Sequence, residues 1–219
     1  MCLLCQKKMQ WTLGQLLLPS HLRQPICPAC RALFTRISSP HCPLCCRPGR
    51  ADVCGDCRHW QKCYPKWQWQ HHALYCYDEA MQAYFHQFKI LGDQRLAAIF
   101  ASEIKQALPQ ADLLIPIPLS RDRLQQRGFN QVTAWLELAK IPYVKGLSKA
   151  EMTPQSHKNR QERLATPQPF ELCLSPEKIT GKDILLLDDI YTTGRTLFHA
   201  MEILQRYHPQ SIKSISLAR

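Results

Sequence analysis

The 219-residue sequence predicts an α/β protein: a mostly parallel β-sheet flanked by helices, preceded by a small cysteine-rich module. Three observations carry that expectation. Eight cysteines fall into four CxxC pairs before residue 58: Cys2/Cys5, Cys27/Cys30, Cys42/Cys45 and Cys54/Cys57. Beyond residue 65, short apolar runs alternate with stretches of helical periodicity, the pattern of βαβ units. Finally, "DILLLDDIYTTGRT" (Asp183 to Thr196) sets four apolar residues, two adjacent acids and a threonine-rich glycine turn ahead of an amphipathic segment.

The cysteines come first. A CxxC pair closes a tight knuckle presenting two thiolates, and a structural zinc takes four, so four pairs predict two Cys₄ zinc sites. The simplest partition is sequential, the first two pairs holding one ion and the last two the other. A cross-braced partition is the alternative, and Cys46, next to Cys45, offers a substitute ligand. No thioredoxin-like βαβ pattern surrounds the pairs, which argues against a redox motif. The start carries Cys2 and Cys5, Leu16–Leu18 is too short for a signal-peptide core, and no apolar run approaches the ~20 residues of a membrane span. A cytosolic chain is expected, and there such thiols are metal ligands rather than disulfides. Eight thiolates and two zinc ions would lower the formal net charge from +11 to about +7. That surface supports only weak, salt-sensitive contact with nucleic acid.

Around "CYPKWQWQHH" the composition turns aromatic, which places a boundary near residue 65 between a module at 1–65 and a domain at 66–219. Trp67 and Trp69 alternate with Gln and are expected to pack against the zinc module. In the second domain "HHALYCYDE" reads as a strand and "AMQAYFHQFKILG" as a helix ending at Gly92. A second helix, "QRLAAIFASEIKQAL", is stopped by Pro109. "DLLIPIP" is strand-like and opens into "LSRDRLQQRGFNQ". "VTAWLELAK" is helical, and "IPYVKGL" reads as a short strand. A polar stretch from Ser148 to Pro169 precedes the acidic motif, and "SIKSISLAR" reads as a closing strand.

The motif carries the chemistry. Ile184–Leu187, apolar on both faces, suits a buried parallel strand. In open parallel sheets ligands gather at the carboxyl ends of strands, where Asp188 and Asp189 stand. Gly194 allows close backbone approach. Turn amides and the hydroxyls of Thr192, Thr193 and Thr196 suit a phosphate, and Arg195 adds positive charge. Two carboxylates repel a bare polyphosphate but accept hydrogen bonds from a diol, so the pattern points to a sugar phosphate.

These residues resemble the phosphoribosyl-diphosphate (PRPP) loop of type I phosphoribosyltransferases. The resemblance implies that Asp188 and Asp189 hold the ribose hydroxyls and that the turn holds the 5′-phosphate. The ligand-binding stretch is then Tyr191, Thr192, Thr193, Gly194, Arg195 and Thr196. Together with "YDEAMQAYFHQFKILGD", "IPIPLSRDRLQQRGFNQ" and the CxxC-rich start, nearly the whole chain is similar to the ComF family of ComFC-type competence proteins. That family joins a zinc-ribbon module to a phosphoribosyltransferase-like domain. The resemblance makes "PIPLSR" the pyrophosphate loop, Lys89, Arg121 and Arg127 the diphosphate ligands, and magnesium a companion of PRPP. It also puts "EMTPQSHKNRQERLATPQPF", with Lys158, Arg160 and Arg163, at the position of a mobile hood loop. The Asn that the family carries after the basic cluster is missing here.

The resemblance implies a competence protein required for DNA uptake and natural transformation. Its partners would be a helicase-like, ComFA-type protein, other transformation proteins and single-stranded DNA. Its location would be the cytoplasm, peripheral to the membrane uptake machinery. The alternative is a phosphoribosyltransferase of nucleotide or amine metabolism. Many base-specific transferases carry an acid directly before the TG of the loop; here that position is Thr192. His157 and His199 are the other candidate bases, and nothing in the sequence places either one there.

Overall fold

The computed structural model describes residues 1–9, 24–150 and 168–219. His157, Lys158, Arg160 and Arg163 of the expected hood loop lie outside the described residues. Among the described residues the main sheet has four parallel strands in the order β1-β6-β5-β2. Strand β1 is His71–Tyr75, β2 is Leu113–Pro116, β5 is Asp183–Ile190 and β6 is Ser211–Ala218. Two short strands, β3 (Leu147–Lys149) and β4 (Phe170–Leu172), pair antiparallel beside it.

Central β5 is buried on both faces. Leu185 and Leu187 join one core with Leu74, Ile215 and Leu217, while Ile184 and Leu186 join the other with Ile115 and Ile212. Each such side chain stabilises the fold by about 1.5–3 kcal/mol. The first core is roofed by helices α3 (Glu79–Lys89), α4 (Ala101–Ala107) and α6 (Gln131–Leu138), and the second by α7 (Arg195–Gln205). Helix α3 opens where Asp78 accepts from Met81 N–H at 3.0 Å, an N-cap worth about 1 kcal/mol. No helix among the described residues is long and apolar enough to cross a membrane.

Three elements depart from the sequence reading. The helix expected over "QRLAAIFASEIKQAL" is a 3₁₀ helix, Gln94–Ile99, followed by α4. The break falls at Phe100, whose buried ring meets Phe34, Tyr75 and Tyr84 edge-on. The segment after β2 is a helix, α5 (Arg121–Arg127), capped by Ser120 and stopped by Gly128 at φ 74°. It buries no residue, so no apolar stripe announces it. Of "IPYVKGL", only Leu147 enters a strand.

The cysteine-rich segment does not stand apart from the sheet. It contains two short helices, α1 (Pro28–Arg31) and α2 (Gly55–Cys63). Ile37 N–H donates to Leu74 O at 3.0 Å and Cys76 N–H to Thr35 O at 2.8 Å, so residues 35–37 cover the open edge of β1. Glu103 of α4 ties the same segment down, accepting from Arg31 at 2.7 Å and from Arg36 and the Tyr75 hydroxyl. On the other face Phe198 of α7 lies against Trp60 with ring centres 4.2 Å apart, and Tyr64, Trp67 and Trp69 complete the box. The tryptophans of the linker thus pack as expected, but across the boundary near residue 65 rather than on one side of it. Phe198→Ala is expected to destabilise the chain by about 3–5 kcal/mol, read as a lower midpoint of denaturant unfolding. A loss under about 1 kcal/mol would show that the box is not holding the two parts together.

Candidate functional site

The eight CxxC cysteines come together as two groups of four: Cys2, Cys5, Cys27 and Cys30, and Cys42, Cys45, Cys54 and Cys57. The partition is therefore sequential. Within each group all the sulfurs lie within 4.8 Å of one another. Neighbouring sulfurs are 3.8 Å apart for Cys5 and Cys27, 3.7 Å for Cys42 and Cys57, and 3.6 Å for Cys45 and Cys54. A tetrahedron with Zn–S bonds of 2.3 Å has edges of about 3.8 Å, so both groups fit a structural zinc. Cys27 and Cys54 stand at the N-caps of α1 and α2. Backbone N–H groups support the sulfurs: Cys27 donates to Cys2 Sγ at 3.3 Å and Cys54 to Cys42 Sγ at 3.4 Å. Cys46 turns away, its thiol directed at His71 O at 3.4 Å, and is not a ligand.

The second site lies where β2 and β5 end. Two adjoining hollows meet here: Asp188 lines both, and Asp189 lines the larger. The smaller is lined by Asp188, Ile190 to Thr192 and Gly194 to Leu197. Gly194 takes φ 86°, and a Cβ there would collide with the Tyr191 hydroxyl, so only glycine serves. Gly194 is also the N-cap of α7 and supplies no side-chain cap. The positive end of the helix dipole therefore faces this hollow, a setting that suits an anion. Thr192 and Thr193 are exposed on the loop and Arg195 opens the helix. The Tyr191 ring is buried beneath the loop against His71, so its contribution to this hollow is backbone.

The larger hollow, of about 140 Å³, shares Asp188, Ile190 and Thr196 with the smaller. Four cations line it: Lys89 at the end of α3, Arg123 and Arg127 on α5, and Lys149 on β3. Against two carboxylates they leave an excess of positive charge for an anionic ligand. Arg123 and Arg127 are four residues apart and share one helix face, whereas Arg121 starts the helix exposed and stays outside the hollow. The sequence puts Arg121, Arg123 and Arg127 together past the end of a strand, and sequence reasoning took Arg121 rather than Arg123 as the partner of Arg127; it missed Lys149. The spacing of Arg123 and Arg127 between Ser120 and Gly128 was the available signal for choosing Arg123. Sequence reasoning also missed Gln131, a lining residue of the hollow at the start of α6, whose two buried amide atoms have no hydrogen-bond partner among the described residues. An orphaned buried amide costs about 1–3 kcal/mol, a cost that a ligand accepting and donating there would remove.

Electrostatics separates the two acids. Asp189 pairs with Lys89 at 2.6 Å, while the Lys89 ammonium sits 4.1 Å above the Phe85 ring. Asp188 accepts from Asp189 N–H at 2.8 Å. Burial, and then the neighbouring charge of Asp189, push the Asp188 carboxyl up to about 7. Burial pulls Lys149 and Arg127 down from their usual values. His199 is also pulled down, to about 4 by burial, and it does not line either hollow. Asp188 and Asp189 are the only acids among the described residues lining them.

Metal content of the purified chain is expected to be two zinc ions, falling to one in Cys45→Ser and staying at two in Cys46→Ser; any other pattern rejects the ligand sets. A second expectation concerns pH. The folded chain keeps a proton on Asp188 that the unfolded chain releases, so stability falls as pH rises from about 4 to 7 and is level above that. In metal-loaded, ligand-free protein, Asp188→Asn removes this slope. Its stability relative to the parent should rise by about 2–4 kcal/mol between pH 4 and 8, because each tenfold change in proton affinity is worth about 1.36 kcal/mol. A pH-independent difference would place Asp188 in the ordinary carboxylate range.

The phosphoribosyl transferase domain family matches residues 81–219. Over its full length the chain is 36% identical to the competence protein ComFC of Streptococcus pneumoniae, spanning 99% of that protein. It is 32% identical, again over its full length, to the competence protein ComFC of Bacillus subtilis, spanning 94% of it. The DNA utilization protein YhgH of Salmonella typhi is 28% identical, with 89% of this chain and 90% of that protein covered. With a parallel sheet ending in an acidic pair and two cysteine clusters ahead of it, the chain belongs to the ComFC family of competence proteins, built on a phosphoribosyl transferase domain.

Proposed function

We propose that the chain binds PRPP with magnesium and serves DNA uptake in natural transformation. The observation that carries the reading is the position of Asp188 and Asp189 in a hollow lined by four cations, next to the loop and glycine N-cap that open α7. A ribose phosphate laid across the pair puts its 5′-phosphate on the amides of the loop, its diol on the carboxylates and its diphosphate among Lys89, Arg123, Arg127 and Lys149. Tyr191, Thr192, Thr193, Gly194, Arg195 and Thr196 form the phosphate end. Magnesium prefers the hard oxygens that a diphosphate and diol offer, and it would offset the two acids. The names of the relatives support the biological setting. In that setting a helicase-like competence protein and single-stranded DNA are the partners, on the cytoplasmic side of the uptake machinery.

Thr192 occupies the position where base-specific transferases keep an acid, and a threonine hydroxyl cannot accept a proton near neutral pH. We therefore expect PRPP binding without efficient transfer to a free purine or pyrimidine. The same residue favours one second reading, transfer to an amine, which is nucleophilic without such a base.

Calorimetric titration with PRPP and magnesium tests the first reading. Each lost hydrogen bond to a charged group costs ~1.5–3 kcal/mol, so Asp188→Ala and Asp189→Ala are each expected to weaken binding at least tenfold in folded protein. Transformation frequency should fall in cells carrying either variant, with growth on minimal medium unaffected. Pyrophosphate release with a free nucleobase, or normal transformation in both variants, would overturn the proposal. Release only with an amine would establish the second reading.

A further inference from the structure

The carbonyls of the phosphate loop rest on the second cysteine cluster. Arg219 follows β6 with its backbone held on both sides: its N–H donates to Tyr75 O and its carbonyl accepts from Tyr77 N–H, each at 2.9 Å. Its side chain is only 8% exposed and lies between the cluster and the loop. Nη2 donates to Cys45 Sγ at 3.4 Å and faces Asp56, in the first turn of α2, at 3.5 Å. Nη1 donates to Tyr191 O at 3.3 Å and to the Thr192 carbonyl. The guanidinium also lies over the Tyr191 ring, 4.7 Å from its centre. From α2, the helix that carries Cys57, Trp60 Nε1 donates to Thr193 O at 2.7 Å.

Three consecutive carbonyls, those of Tyr191, Thr192 and Thr193, are thus drawn toward the cluster by two side chains. In a planar trans peptide the following N–H points the opposite way. The amides of Thr192, Thr193 and Gly194 are therefore turned away from the cluster, as an anion-binding loop requires. A Cys₄ zinc centre carries a formal charge of −2, so a loaded cluster also holds the Arg219 guanidinium electrostatically. Among the described residues the first cluster has no comparable link to the loop. Cys2 and Cys30 pack in the opposite core, with Phe34, Phe100 and the helices there.

We infer that the metallated Cys42/Cys45/Cys54/Cys57 cluster is the positioning base of the phosphate loop, with Arg219 and Trp60 as the residues that transmit its geometry. Zinc at this cluster and a ribose phosphate at the loop then strengthen each other's binding, because linkage is reciprocal. The inference rests on reading the loop as a ribose-phosphate site.

The test uses the full-length, zinc-loaded chain, with ribose 5-phosphate as the probe. Release of each zinc to a chromogenic chelator is followed with and without saturating probe. The expected result is that the probe slows one zinc at least fivefold and leaves the other unchanged, which a purely structural role for Arg219 would not produce. Arg219→Ala is expected to weaken the probe about tenfold, to speed release of that same zinc, and to raise hydrogen exchange at the amides of residues 191–196. Trp60→Phe keeps the ring stacked on Phe198 and removes one hydrogen bond, so it guards against a variant that fails to fold; it should shift all three readouts the same way by a smaller factor. Parental exchange at the loop in both folded variants would overturn the inference, as would protection of both zincs equally or of neither. If the parent chain does not bind ribose 5-phosphate, the PRPP reading falls, and exchange at residues 191–196 alone decides the coupling.

Discussion

Burial of β5 on both faces is the constraint on which the rest of the molecule depends. Ile184 to Leu187 have no solvent side, and the strand is hydrogen-bonded to β2 and β6 with Leu187 opposite Pro116 and Ile215. The apolar run stops where the acids begin. A slip of one residue would drag an unpaired carboxylate between two apolar cores, at a cost of several kcal/mol. Register is thereby locked, and with it the point at which the chain leaves the sheet. Asp188, Asp189 and the loop after them inherit their position from four hydrophobic side chains that touch no ligand.

The two carboxylates are held in different states by what surrounds them. Asp189 has the Lys89 ammonium as an internal counterion. Asp188 has burial and its neighbour's charge against it, and keeps a proton close to neutral pH. On the proposed reading an anionic ligand approaches a site in which one of the two repelling charges is muted, and the diol of the ribose faces one carboxylate paired with Lys89 and one carboxyl that can be either donor or acceptor. The four cations around the larger hollow, two of them lowered by burial, supply the attraction.

Much of this was legible because it is local. The four CxxC pairs, the apolar run of β5, and the order of acids, threonines and glycine after it are all written within a few residues of one another. What could not be read depends on distance or on weak patterning. Helix α5 has a single apolar residue, the exposed Leu124, so only Ser120 and Gly128 mark it, and without the helix Arg121 could not be told from Arg123. Lys149 and Gln131 reach the hollow only through the fold, from β3 and from the start of α6. Cys45 and Cys46 are chemically alike and adjacent; the backbone, with Cys46 at φ 58°, decides which thiol faces the cluster. The boundary drawn near residue 65 follows a change of composition, whereas the aromatic box around Phe198 is assembled from both sides of it.

The buried imidazole of His71 has a further consequence. Its Nδ1 meets Ser214 Oγ at 3.0 Å, and the two residues are 143 positions apart in the chain. Strand β1 is hydrogen-bonded to no strand other than β6 in the described sheet, so the edge that residues 35–37 cover does not exist until β6 has been laid down. Loop-closure entropy of that size must be met before the pairing returns any energy, which slows folding relative to a chain of local contacts. On the ribosome, the cysteine-rich segment emerges well ahead of the β6 strand that completes its docking surface. Its thiols therefore wait through the synthesis of the intervening chain without the packing that later buries them. Capture of metal by the nascent chain, ahead of tertiary structure, is what would shield them from oxidation through that interval.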